Sequence, residues 1–314
     1  MRKFVTAMAL TLFGACMCTS ALGQPVTTIT MPDPNTFPEN VTVLGDGTVV
    51  IGAMLQHYIY RARPGQAMAE RWIDLTTVGS ASWGLMADNS RNNLWVCTTA
   101  FTLPAKITPA IKERITSLRA FDTRTGAAKG VWPLLNPTNS CNDMTIAADG
   151  TVYVSDIANG QVQRLKPGAA ALEPWLQVPE LLNVDGIAFV GTMLYANNVS
   201  TGKLYRIPVN ADGSAGTVVE IKLSQPLEGP DGMRAQNGKM YVAENRANRI
   251  SEITFTGDTG TVRVLKGGYV TATGVQPAGD VIWVQESKQN YWRDPALANA
   301  DPNPFRIYAI PTPK

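Results

Sequence analysis

The sequence predicts an all-β protein built as a six-bladed β-propeller, and three observations lead there. A short motif of polar or acidic residue, small residue and apolar run recurs along the chain. It is read in "PENVTV" (38–43), "SWGLMA" (82–87), "CNDMTI" (141–146), "VDGIAF" (184–189), "PDGMRA" (230–235) and "ATGVQP" (272–277). The second motif positions, Asn40, Gly84, Asp143, Gly186, Gly232 and Gly274, fall 42 to 59 residues apart, the period of propeller blades. Between motifs the chain alternates apolar and polar residues with period 2, as in Thr151-Val152-Tyr153-Val154 and Lys239-Met240-Tyr241-Val242. Asp46-Gly47, Asp149-Gly150 and Asn237-Gly238 supply the tight hairpin turns.

Taken in order, residues 1–23 have the layout of a secretory signal peptide: Arg2-Lys3, an apolar stretch from Phe4 to Ala15, and small residues at Ala21-Leu22-Gly23. The apolar stretch is short for a membrane span, and no second one follows, so the expectation is a secreted or periplasmic protein. Cys16 follows a poor lipobox, which leaves lipidation there as a minor alternative. Residues 24–314 form the propeller domain. "PVTTITMP" (25–32) precedes the first motif and is placed to complete the last blade, whose third strand is read in "FRIYAIP" (305–311). The longest interval, between the second and third motifs, holds an insertion at 102–117 whose prolines and charges suit a surface loop. Cys97 and Cys141 remain after signal removal; they are disulfide candidates in an oxidising compartment, with two buried free thiols as the alternative.

Composition narrows function by exclusion. Among 314 residues, 27 Lys and Arg stand against 25 Asp and Glu, for a net charge of +2, and the charges are scattered. No basic stripe for nucleic acid is visible. Nor is there a Gly-Xaa-Ser-Xaa-Gly elbow, a phosphate-cradling glycine loop or a Cys-X-X-Cys pair. A small-molecule substrate is the expected partner, and the sequence does not specify the oligomeric state.

Inner strands of a propeller line one channel, so residues just before the second motif position should converge at its mouth. These are Glu39, Trp83, Asn142, Asp185, Asp231 and Thr273. Three carboxylates and a carboxamide in one volume repel unless protonated or neutralised, and a hard divalent cation such as Ca²⁺ takes that donor set. The competing reading is that each acid caps a local turn. With one histidine and few thiols, zinc or copper is disfavoured. His57, in the turn after the second strand of blade one, is a candidate base or substrate contact. Asp156, Asn197, Asn198, Glu244, Asn245 and Glu286 occupy the corresponding turns elsewhere.

With "PEN" (38–40), "CND" (141–143), "VDG" (184–186) and "PDGM" (230–233) in this blade pattern, the chain resembles the regucalcin/gluconolactonase (senescence marker protein) family. Paraoxonase and diisopropyl fluorophosphatase are more distant relatives. The resemblance implies a catalytic calcium at the channel mouth, with Glu39, Asp185 and Asp231 as ligands and Asn142 as ligand or substrate contact. Asp185 or Asp231 then stands where the family has its candidate base. Asp185 replaces a common Asn, and Ser140 stands where gluconolactonases carry an Arg that contacts sugar. With Trp83 at the mouth, these departures point to a more apolar lactone. The reading is a calcium-dependent hydrolase of lactones or related esters. A non-catalytic propeller binding a protein or small ligand is the alternative, and a strictosidine-synthase-like condensing enzyme a third.

Overall fold

The computed structural model describes residues 26–78, 81–99, 116–136, 138–297 and 299–313. The expected signal peptide, Cys16 and most of the 102–117 insertion lie outside the described residues.

The strands form six sheets arranged as a propeller, and the six motifs are the inner strands. These are Pro38–Val43, Ala81–Asp88, Cys141–Ile146, Val184–Val190, Pro230–Gln236 and Ala272–Ala278. Each pairs antiparallel with the next strand outward, as Cys141–Ile146 does with Val152–Asp156 and Pro230–Gln236 with Lys239–Glu244. Hairpin turns of the expected chemistry join them. Asn237 and Gly238 both have positive φ (53° and 76°), and the Asp149 carboxylate accepts the Thr151 amide at 2.8 Å.

Middle strands such as Val49–Ala53 and Val152–Asp156 are buried along their whole length, because each blade is sandwiched between two others. Val50, Ile59 and Ile73 of blade one meet Leu85, Leu94 and Val96 of blade two in one such apolar layer. The periphery is wetter: Ala128–Pro133, the outer strand of blade two, alternates exposed and half-buried residues.

The ring closes as expected. Thr28–Thr30 pairs antiparallel with Arg306–Pro311, so blade six is built from both ends of the described chain. Just beyond this strand the Asp33 carboxylate accepts hydrogen bonds from Tyr60 Oη (2.7 Å), Arg71 Nε (2.7 Å) and Arg71 Nη2 (2.8 Å), clamping the closing segment onto blade one. Blade five gains a fifth strand, Lys222–Leu223, which runs parallel to Thr259–Gly267 after the chain leaves blade four.

Cys97 and Cys141 form a disulfide, with Cα atoms 5.2 Å apart, joining the second strand of blade two to the start of the blade-three inner strand. The free-thiol alternative is thereby set aside.

Candidate active site

Every inner strand breaks register at its motif, between Pro38 and Val41, Ser82 and Leu85, Cys141 and Met144, Val184 and Ile187, Pro230 and Met233, and Ala272 and Gly274. Such a bulge turns a side chain out of the pleat, here toward the channel. The blades also approach one another closely there. A Cβ on Gly84 would collide with the Asn142 carbonyl oxygen, and one on Gly186 with that of Asp231. At Gly84 and Gly186 the lack of a side chain is therefore a packing requirement of the neighbouring blade.

Glu39, Trp83, Asn142, Asp185 and Asp231 line one cavity of about 340 Å³ at the channel mouth. Thr273 does not; its hydroxyl donates to the Glu39 carbonyl at 2.9 Å and holds the blade-one bulge. Turns after the second strands supply more of the wall: Met54, Ile157, Val199, Asn245 and Arg246. The rest comes from the connection before the last strand of blade six, where Gln289, Trp292 and Arg293 sit in and beside the short helix Asn290–Arg293.

The acids are buried and act on one another. Desolvation and then the Asp231 charge push the Glu39 carboxyl well above the usual range; desolvation, Asp231 and Glu39 do the same to Asp185. Burial lifts Asp231 to about 6, although hydrogen bonds to its carboxylate work against that rise. Asn245 Nδ2 donates to Asp231 Oδ2 at 2.8 Å and the Gly232 amide to Oδ1 at 2.9 Å. Contact with Asn142 works against the rise at Asp185, and contact with Asp185 against the rise at Asp231. Gln289 Nε2 donates to Glu39 Oε2 at 3.0 Å, while Gln289 Oε1, on a side chain only 2% exposed, has no partner among the described residues.

Among the described residues no three His, Cys, Asp or Glu side chains close into a ready-made metal cage. The donors ring the cavity instead. Their chemistry fits a hard cation: three carboxylates, the Asn142 carboxamide and the orphaned Gln289 oxygen, with no sulfur or imidazole among these donors.

Two candidates fall elsewhere. His57 is buried and its carbonyl accepts the Leu75 amide at 2.8 Å, but it does not line the cavity; Met54 of the same turn does. Ser140 is also outside the lining. Its amide donates to Asp156 Oδ1 at 2.9 Å, which fixes the approach to the blade-three motif. Of the six polar residues that the sequence places at these turns, Asn245 alone reaches the cavity; Asp156, Asn197, Asn198, Glu244 and Glu286 hold backbone amides or carbonyls nearby. Gln289 and Arg293 carry no repeat signal, and the only clue in the sequence is the length of the connection joining 286 to 306. A larger recess of about 490 Å³ lies between blades three and four on the opposite face, and none of the mouth acids lines it.

Fold and mouth together define a six-bladed propeller with an acid-lined channel. Among solved structures it is similar to a gluconolactonase from Xanthomonas campestris (16% identity, TM-score 0.63, 88% of each chain covered). It is likewise similar to a calcium-binding protein, regucalcin, from Agrobacterium tumefaciens (14% identity, TM-score 0.65, covering 88% of this chain and 90% of that one). A luciferin-regenerating enzyme matches at 14% identity and TM-score 0.62, over 91% of this chain and 95% of the other. At such identities the likeness establishes the shared propeller fold. No protein-family model matches the chain, and no curated protein does.

Proposed function

We propose that the protein is an exported, calcium-dependent hydrolase of lactones or related esters. The observation that carries this reading is the convergence of Glu39, Asn142, Asp185 and Asp231, from four inner strands, on one cavity. Bound by these four, a calcium ion would supply a Lewis acid that polarises the carbonyl and stabilises developing negative charge.

The chain's own residues supply the rest. Asn245 fixes Asp231 and Gln289 fixes Glu39, so both carboxylates are pre-oriented. Met54, Trp83, Ile157 and Val199 give an apolar wall that excludes bulk water and seats the body of the substrate. Asp231 or Asp185 accepts the proton of the attacking water. With a new bond formed from the water oxygen to the carbonyl carbon, the ring C–O bond breaks and the carboxyl that took the proton returns it to the released alkoxide, leaving a hydroxy acid. His57 has no place in this scheme, since it does not line the cavity. The Cys97–Cys141 disulfide supports an oxidising compartment.

The test is hydrolysis of sugar, aliphatic and aromatic lactones by the purified protein, with EDTA and with calcium restored. Chelator-sensitive turnover that calcium restores is the expected result, with apolar lactones preferred. No turnover across the panel, together with no bound calcium, would replace this reading with that of a binding propeller.

A further inference from the structure

Beneath the cavity, the channel is crossed by a buried ion pair with no part in the chemistry above. Arg234, three residues beyond Asp231 on the blade-five inner strand, is 3% exposed. Its Nη1 donates to Asp143 Oδ2 and to the Met233 carbonyl, both at 2.7 Å. Nη2 donates to Asp143 Oδ1 (2.9 Å), the Leu85 carbonyl (2.8 Å) and Asn40 Oδ1 (3.2 Å). One guanidinium thus reaches inner strands of blades one, two and three from blade five.

Asp143 is a fourth acid of the inner-strand motifs, adjacent to Asn142 but absent from the cavity lining. Both its oxygens are taken by Arg234, while Arg234 Nε is buried without a partner among the described residues. The arrangement satisfies the acid more completely than the base. We propose that Arg234 is a positioning residue: it holds Asp143 below the mouth, cancels its charge, and so sets the affinity of the acids above for a divalent cation. This rests on the metal reading of the mouth. Apolar side chains of similar volume often replace a buried ion pair at little cost in stability, although here the Met233 and Leu85 carbonyls would also lose their donor. Half a pair is different. An uncompensated charge in a low-dielectric channel acts strongly on its neighbours.

The test is calcium affinity, measured by calorimetry on the whole chain, with thermal unfolding recorded beside it. Arg234→Met should bind calcium about tenfold more tightly and Asp143→Asn about tenfold more weakly, with opposite signs set by the charge left behind. The double variant Asp143→Asn/Arg234→Met should lie within about threefold of wild type. If either single change prevents folding, Arg234→Lys and the double variant decide: both keep the net charge and should keep the affinity even where Tm falls. Affinity that falls in step with Tm in these two, or moves in the same direction in both single variants, would overturn the proposal. A wild type that binds no calcium would remove the metal reading and this inference with it.

Discussion

Asp231 is held by the Gly232 amide and Asn245, so a change there alters charge without loosening the strand that carries it. Asp231→Asn and Glu39→Gln should each lower lactone turnover at least about a hundredfold with far-UV circular dichroism unchanged, since each removes a proposed cation ligand. Full activity of either variant in EDTA would contradict the metal reading. Asn245→Ala acts one step back, on carboxylate orientation, while Gln289→Ala removes both the donor to Glu39 and an unpartnered oxygen; each should cost roughly 10–100-fold in calcium affinity or activity. Calcium titrations of these variants check this. The mouth residues were legible in the sequence because they recur at blade period. Glu39, Trp83, Asn142, Asp185 and Asp231 all reach the cavity as the pattern implies. His57 lies in the turn that strand counting gives, but it does not line the cavity, because a turn can be located by counting strands while the direction of each of its side chains cannot. Gln289 and Arg293 belong to a connection that repeats nothing, and the Asp143–Arg234 pair spans 91 residues that no local pattern links.

Two ties fix the elements around the mouth. The Cys97–Cys141 bridge closes a sequence separation of 44 residues and anchors the strand that presents Asn142. Cys97→Ser with Cys141→Ser should cost about 2–5 kcal/mol in denaturant unfolding. The second tie is the Asp33 clamp. Arg71 and Tyr60 hold the Asp33 carboxyl below its usual range against the opposing effect of burial. A depressed carboxyl stabilises the fold above its unfolded pKa of about 3.9, and that contribution is lost as pH falls through the lower folded value. Asp33→Asn should therefore destabilise the protein at neutral pH by less than about 1 kcal/mol, because Arg71 is half exposed. In thermal melts the deficit should shrink below about pH 4 and vanish once the folded value is passed. A deficit that persisted in acid would show that the clamp is not electrostatic. The strands were readable from alternation and turn dipeptides, but the inner-strand bulges were not, since a register shift appears only when the partner strand is in place.

For the whole molecule, the closing strand and the mouth depend on the same ring. Thr28–Thr30 completes blade six, whose connection carries Gln289 over the cavity, so deleting residues 26–32 should broaden the unfolding transition and weaken calcium binding together. Ligand linkage gives a further expectation. Calcium at a hundred times its dissociation constant stabilises the folded state by about 2.7 kcal/mol, and EDTA should lower Tm by several degrees. Six blades and their closure followed from the sequence because a propeller is a sum of similar units. The ion pair at its centre did not, because it is made once, between units. The calcium content of the purified protein, set beside that of Asp231→Asn by elemental analysis after dialysis against micromolar calcium, decides whether the mouth is a metal site. One ion per chain in the wild type and its loss in the variant is the expected result. A wild type without calcium, or equal calcium in both, would contradict it.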